Sequence, residues 1–445
     1  MKISDIRNGM KVGFFGLGRS NMSLLKTLPL DNARITLRSE EKIKLPPPDF
    51  QAKIAGIYEG KYAFSNIDED LLILSPSVRR ERREIAEAMA GGIKISSDYE
   101  IFLGENDRPI FAVTGSDGKS TTATLINMML CGSGNRSLLI GNIGQPMCET
   151  LYKADIYVCE LSSFMLRYAL PNAKRGCLTN ITPNHLNWHR DFEEYKKTKI
   201  SMLKSCSEFV VSEENSDIGG AFAIVSLTSS EKILLKKYRA NLYYTLECGW
   251  ICKNGKRLIH TEEIKIRQRH NIQNLMMAMA MTDGYADTDA MLNVARSFEG
   301  LGHRCELFLS SDGVDYYDSS IDSTPMRTVA TLEGLGREVA LILGGRGKGL
   351  DYSALIPCLK KYAKAVIITG ENAKEISSSF GDEIDAKIYD SFEEGVYAAT
   401  ECAKSIGALI LSPASTSYDR FSDYKERGEY YKKLVRSRLN TDKCK

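Results

Sequence analysis

At 445 residues, the chain is about three domains long at roughly 100–200 residues each. Charged residues make up 26% and the apolar types 43%, a balance that excludes a disordered chain, a collagen-like fibre and a coiled coil. Fifty-nine basic against fifty-seven acidic residues leave a net charge of +2, so bulk charge gives no case for nucleic acid or an anionic membrane, while a local basic pocket for a phosphorylated small molecule stays open.

Short apolar runs closed by Gly, Ser or Thr alternate with helix-like stretches along the whole chain. KVGFFGLG from Lys11 leads through Gly16 and Gly18 into NMSLLKTL, a strand–turn–helix pattern, and ARITLRS and DLLILSPS follow. PIFAVTG from Pro109 feeds the helical TTATLINMML, which stops at Gly132, and DIYVCELSS begins at Asp155. The last third repeats the pattern with EVALILGG from Glu338, AKAVIITG from Ala363 and a run from Gly407. Buried strands alternating with helices predict an α/β protein with parallel, doubly wound sheets. Loop-like boundaries fall near 105, before ENDRP, and near 301, in the LGHR turn. No solenoid-period repeat and no low-complexity tract interrupts this order.

Eleven scattered cysteines, never spaced as CxxC, suggest neither a disulfide framework nor a zinc knuckle; reduced thiols are the expectation. The N-terminal residues lack the pattern of a signal peptide, and no run of about 18 apolar residues predicts a membrane span. A cytoplasmic enzyme is therefore expected.

The strongest local signal is Val113-Thr-Gly115-Ser-Asp-Gly118-Lys119-Ser120. A strand ends, a glycine-rich turn exposes backbone N–H groups, and a helix begins, which suits phosphate. Lys119 would reach the terminal phosphates and the Ser120 hydroxyl would bind Mg²⁺. The generic GxxxxGK[ST] pattern fails, because Val113 stands where its first glycine would be; a turn with a solvated lysine is the bland alternative. The first turn, Gly16-Leu-Gly18-Arg19-Ser20-Asn21, has two glycines of GxGxxG but Asn21 in place of the third. Thr36-Leu37-Arg38 also lacks the acid that dinucleotide enzymes place on the ribose. A different nucleotide, with its phosphates at this turn and Arg38 nearby, suits these residues better than NAD.

Other candidates are open on the residues alone. Glu160, at a strand end, completes a Mg²⁺ shell with Ser120 or is a structural acid. His185 is a ligand or an ordinary structural histidine. Lys199 belongs to a functional site or to a solvated helix face. In HNIQN, His270 and Asn271 read as a helix N-cap presenting polar side chains to a ligand.

In their order along the chain these segments resemble the Mur ligase family. The resemblance runs through GLGRS, TGSDGKST, GNIGQP, CELSSF, TNITPNHLNWH, Lys199 and RHNIQNLMMAMA. It continues through LGHRCELF, YYDSSIDST, LILGGRGKGLDYSAL and LSPASTSYDRFSDYKERG, covering almost the whole chain. It implies three domains: a Rossmann-like N-terminal domain for the UDP substrate (1–104), a central P-loop-type ATPase domain (105–301), and a C-terminal Rossmann-like domain for the amino acid (302–445). The implied reaction is the ATP-dependent addition of D-glutamate to UDP-N-acetylmuramoyl-L-alanine through an acyl phosphate, in peptidoglycan precursor synthesis. A sibling ligase adding another amino acid, a folate-type glutamate ligase and a nucleotide-binding protein without ligase activity are the alternatives.

The resemblance also implies roles for residues. Ser116, Asp117, Gly118, Lys119, Ser120, Thr121, Thr122, Asn271, Arg304 and Asp318 would bind ATP. Gly18, Ser20, Arg38, Ser75, Asn142, Ser162 and His185 would bind the UDP substrate. Lys348, Ser417, Tyr424 and Arg346 would bind the amino acid. Lys119, Glu160, His185 and Lys199 would carry catalysis. Ser120 and Glu160 would hold one Mg²⁺, and His185 with Lys199, as its carbamate, a second. A monomer is expected. Relatives often carry a lysine and a threonine where this chain has Ser320 and Asp322, and an acid where it has Arg346. A cation lost in one loop and gained in another would preserve the charge facing a glutamate carboxylate; Arg346 is expected either to assist there or to neutralise Asp322.

Overall fold

The computed structural model describes every residue except 8, 31, 44, 77, 184–187, 348, 444 and 445, with 441–443 as backbone only. The chain folds into two compact units, Met1–Phe298 and Glu299–Lys445. Three sheets carry the architecture, two of them in the first unit.

The first sheet holds β1 (Lys11–Phe15), β2 (Arg34–Ser39), β3 (Ile54–Glu59), β4 (Leu71–Leu74) and β5 (Lys94–Ser96), all parallel, in the order β3-β2-β1-β4-β5. Strand order reverses between β1 and β4, and open α/β sheets form a ligand crevice at such a reversal. The residues that leave the two strands there are Gly16 and Ser75, whose N–H donates to Phe15 O at 2.9 Å.

The second sheet contains β6 (Ile110–Thr114), β7 (Ser137–Gly141), β8 (Ile156–Glu160), β9 (Arg175–Leu178), β10 (Glu208–Ser212), β11 (Ala223–Ser226), β12 (Leu242–Glu247), β13 (Trp250–Lys253) and β14 (Lys256–His260). Their order is β14-β13-β12-β11-β10-β9-β6-β8-β7. β6, β8, β9 and β11 are buried along their full length, which is why IFAVT, AIVS and most of IYVCE read as apolar runs, while RGCL opens with Arg175, paired with Glu208 at 2.7 Å. β12 to β14 form an antiparallel extension. Helix Lys119–Gly132 packs beside helix Arg269–Thr282, whose residues from Asn274 to Thr282 are all buried. One continuous apolar core includes Phe14, Leu37 and Ile73 of the first sheet together with Ala112, Tyr157 and Val211 of the second.

The second unit is built on β15 (Glu306–Ser311), β16 (Val314–Asp318), β17 (Val339–Leu343), β18 (Ala363–Ile368), β19 (Ala386–Ile388) and β20 (Ala408–Leu411), ordered β15-β16-β20-β17-β18-β19. β15 is antiparallel to β16 and the rest are parallel. β16, β20 and β17 are neighbours, so the loops after them, DSSIDS, SPASTS and GGRGKG, leave the same edge of the sheet side by side. Two apolar clusters pack this sheet, one around Leu341, Leu355 and Ile376, the other around Ile342, Val396 and Tyr431. Among the described residues no helix is long and apolar enough to cross a membrane.

Candidate active site

The turn after β6 is fixed by its neighbours on all sides. Gly115 has φ +145°, and a Cβ there would stand 1.9 Å from Thr179 Oγ1. Gly118, just before helix Lys119–Gly132, is left-handed at φ 75°, and its Cβ would meet Asn274 Oδ1 at 2.3 Å. Both positions thus demand glycine for conformation and for space. Ser116 N–H donates to Asn180 O (2.9 Å) and Asp117 N–H to Asn180 Oδ1 (2.8 Å). Ser116 Oγ lies 2.9 Å from both Thr182 O and Tyr195 Oη. Ser116 and Asp117 are therefore spent on shaping the turn. Gly118 gives this helix no side-chain cap, and an uncapped helix start at Lys119, Ser120 and Thr121 is of the kind that suits phosphate. Lys119 Nζ donates to Ser116 O at 2.7 Å.

Two buried ionisable groups flank this turn. Glu160 ends β8 at 1% exposure; its Oε1 accepts from Asn142 Nδ2 at 2.8 Å, while Oε2 is buried and among the described residues has no hydrogen-bond partner. A carboxylate oxygen left in that state fits a hard cation such as Mg²⁺. Lys199, on helix Phe192–Lys204, is 2% exposed, and its Nζ donates to Gly115 O (2.8 Å) and Thr114 Oγ1 (3.3 Å) and lies over the Tyr195 ring. Burial, then the Lys119 charge, hold its pKa well below the ordinary lysine value against the opposing pull of Glu160 and Asp117. The solvated-face alternative for Lys199 is excluded by this burial. His185 lies outside the described residues.

A cavity of about 290 Å³ opens at the reversal of the first sheet. Gly18, Ser20, Ser75, Asn142 and Ser162 all line it. Asn142 thus touches the cavity while its amide holds Glu160. Arg38 does not belong there. Its side chain is fully buried; Nε pairs with Glu69 Oε1 at 2.8 Å, Nη1 donates to Ala63 O and Ser65 O, and Nη2 to Asn66 O. The expected phosphate-side cation is instead a brace inside the N-terminal sheet, and Arg38 leaves the set of substrate contacts.

In the second unit, Asp318 ends β16. Its Oδ1 accepts from Ser320 N (2.8 Å), and its Oδ2 lies 2.7 Å from His303 Nδ1 and 3.5 Å from Lys432 Nζ. Burial raises its pKa, but the contacts with His303 and Ser320 outweigh that and leave it lowered. Glu306 accepts from Lys432 at 2.7 Å, so the ammonium occupies the middle of a cluster whose acids and histidine would otherwise suit a metal. Arg304 is half-buried, with its N–H on Leu301 O at 3.3 Å. The Tyr424 ring meets the His303 ring edge-on at 5.9 Å. Backbone bonds between Arg346 and Thr416 hold the loops after β17 and β20 together, which brings Arg346 and Ser417 to one place. Lys348 lies outside the described residues.

The expected pairing of Arg346 with Asp322 is absent. Arg346 Nε binds Glu371 Oε2 at 2.9 Å, whereas Asp322 is 4% exposed and accepts from Thr331 Oγ1 (2.7 Å) and Ser412 Oγ (2.8 Å). Burial raises the Asp322 pKa, so hydroxyl donors, not a counter-cation, accommodate it.

The profile of the Mur ligase middle domain matches residues 113–282. UDP-N-acetylmuramoylalanine–D-glutamate ligase of Clostridium botulinum (strain 657, type Ba4) is 32% identical over 458 residues, covering 98% of both chains. The chain belongs to the Mur ligase family. The enzyme of the same name from Clostridium novyi (strain NT) is 30% identical, again over 98% of each chain. The fold is also that of UDP-N-acetylmuramate-alanine ligase from Thermotoga maritima, with a TM-score of 0.61 at 19% identity over 96% of this chain and 99% of that one. A pseudomurein peptide ligase type C from Methanothermus fervidus gives 0.55 at 15% identity, over 96% and 100%. This Mur ligase thus has the α/β architecture of mainly parallel sheets that alternating strands and helices predict.

Sequence reasoning missed four residues of the site. Tyr195, one helical turn before Lys199, supports both Ser116 and the lysine; i, i+4 spacing on one helix was the available signal. Asn274 packs under Gly118. The HNIQN segment is not an N-cap, since the helix already starts at Arg269, after Gln268; Asn271 sits in the first turn with Nδ2 on Gln268 Oε1 at 3.0 Å. Arg19 and Asp98 line the cavity beside Ser20, and no local motif marks Asp98.

Proposed function

We propose that this protein joins D-glutamate to UDP-N-acetylmuramoyl-L-alanine with cleavage of ATP to ADP and phosphate, as a cytoplasmic monomer in peptidoglycan precursor synthesis. The domain division that goes with this reading is 1–104 for the UDP substrate, 105–301 for ATP and 302–445 for the amino acid. One observation carries the reading. The phosphate turn, a Glu160 oxygen with no hydrogen-bond partner among the described residues and a buried Lys199 lie at the ends of the neighbouring strands β6 and β8, and Asn142 ties them to the cavity that Ser20, Ser75 and Ser162 line.

The chemistry follows from these groups. A carboxylate oxygen of the muramoyl-alanine substrate attacks the γ-phosphorus of ATP, the bond to ADP breaks, and an acyl phosphate forms. The amino group of D-glutamate then attacks the acyl carbon, and the tetrahedral intermediate expels phosphate. Lys119 and the N–H groups of the first helical turn would neutralise the phosphoryl oxygens, a task of positioning and charge. Ser120 and Glu160 would hold Mg²⁺, which screens phosphate charge when bound. Lys199 is suited to carbamylation, because burial favours the neutral amine, the form that adds CO₂ with release of a proton; the product anion, with His185, would hold a second Mg²⁺. Arg346, Lys348, Ser417 and Tyr424 would receive the amino acid, and Arg304, Asp318 and Asn271 the nucleotide.

Phosphate release tests the reading, measured with ATP, Mg²⁺, UDP-N-acetylmuramoyl-L-alanine and a panel of D- and L-amino acids. Release that depends on D-glutamate is expected. Release that depends on another amino acid would move the chain to a sibling activity, and ATP binding with no release under any condition would leave only a nucleotide-binding protein.

A further inference from the structure

We propose that Arg19 is the pyrophosphate-binding cation of the cavity in the first unit, an assignment that rests on the UDP-substrate reading above. The observation that opens it is the loss of Arg38. A UDP-linked substrate brings a diphosphate, and the cation that the sequence placed beside it, Arg38, is buried on Glu69 and three carbonyls. Among the described residues lining the cavity, Arg19 is the one cation and Asp98 the one acid.

Arg19 is the first residue of helix Arg19–Thr27, directly after the Gly16–Gly18 turn. Gly18 precedes the helix with extended backbone and no side-chain cap, so the first-turn N–H groups and the helix dipole face the same side as the guanidinium. The guanidinium is exposed, and among the described residues it forms no ion pair. Nη1 donates to Gly144 O at 3.0 Å, and Nη2 reaches Gly141 O at 3.3 Å and Asn142 O at 3.5 Å. These acceptors are neutral carbonyls, and the two contacts of Nη2 are long. A diphosphate oxygen is a charged acceptor, and such contacts are roughly twice as strong, so it competes well for the same donors.

Asn21 and Tyr99 also line the cavity, and Asn21 Nδ2 donates to Phe15 O and Gly16 O, which fixes the turn beside Arg19. Asp98, the acid of the lining, is held by the protein itself. Its Oδ1 accepts from Cys148 N, it also engages Ser20, and burial pushes its pKa up, towards the uncharged form.

The test is calorimetric titration of the full chain with UDP and with uridine, for the wild type, Arg19→Ala and Arg19→Lys. Arg19→Ala is expected to weaken UDP by about 10- to 100-fold, the loss typical of one charge-assisted contact, and to change uridine by less than about 2-fold. Arg19→Lys should fall between, because a point charge remains while the two-pronged geometry is lost. Thermal melts check that the exposed substitution leaves the fold intact. Unchanged UDP binding in Arg19→Ala, or an equal loss for UDP and uridine, overturns the assignment while leaving the substrate reading standing. A wild type that binds neither ligand overturns the substrate reading and the assignment with it.

Discussion

Lys199 Nζ lies in a place where an ammonium is costly. Its two hydrogen-bond acceptors, Gly115 O and Thr114 Oγ1, are neutral; Lys119 repels it, and the side chain is buried. An amine in such a place binds its proton less readily in the folded than in the unfolded chain. The sign of the pH effect follows. Between the depressed folded pKa and the ordinary value near 10.5 the unfolded state holds more protons, so this group's contribution makes stability rise with pH across that window. Lys199→Met removes that slope. The stability of the variant minus that of the wild type, measured by urea unfolding in CO₂-free buffer, should therefore fall steadily as pH is raised from 7 towards 10. A difference that stays flat would mean that Lys199 is charged in the folded protein. In the same melts, bicarbonate with Mg²⁺ should stabilise the wild type and not the variant, since only the lysine offers an amine to CO₂.

At the scale of elements, the phosphate turn depends on the helix behind it. Asn274 Oδ1 occupies the space where a side chain at Gly118 would begin, and the left-handed backbone there disfavours any other residue by about 1–2 kcal/mol. Gly118→Ala should thus cost that conformational share plus the contact with Asn274, and ATP affinity should fall with it. In the Asn274→Ala background the contact disappears and the cost of Gly118→Ala should shrink to the conformational share alone. An unchanged cost in both backgrounds would show that helix Arg269–Thr282 does not shape the turn. Such couplings explain what was legible in the sequence. β1, β4, β6, β8, β17, β18 and β20 are continuous apolar runs because both faces of a parallel sheet are covered, and they read directly. β12 to β14 lie in YYTLECGWICKNGKRLIH, where apolar and polar residues mix and no run appears. Arg38 went wrong because a charged residue near a glycine-rich motif looks like a ligand contact, and only its burial against Glu69 reveals its other use; the suggested neutralisation of Asp322 by Arg346 failed because hydroxyls of Thr331 and Ser412 already hold that acid. Glu160 and Lys199 became visible through the collinear resemblance, since neither stands in a motif of its own.

For the whole molecule, the three-sheet architecture and its folding units are not the same division. The proposed boundary near 105 separates two sheets, yet Phe14, Leu37 and Ile73 share one apolar cluster with Ala112, Tyr157 and Val211. Phe102, on the helix that leads from the first sheet to the second, meets Tyr157 of β8 edge-on at 5.1 Å between ring centres. A fragment ending at 104 would expose that side of its core to water, and apolar burial is the main term holding a domain of this size together. Residues 299–445 differ: both apolar clusters of their sheet are drawn from residues of that unit alone. Expressed separately, 299–445 should unfold in urea in one cooperative transition. The fragment 1–104 should lack such a transition and bind a hydrophobic dye, while 1–298 should regain cooperativity. A sharp transition in 1–104 of its own would show that the first sheet closes its core unaided, and that the cluster it shares with the second sheet adds docking, not folding.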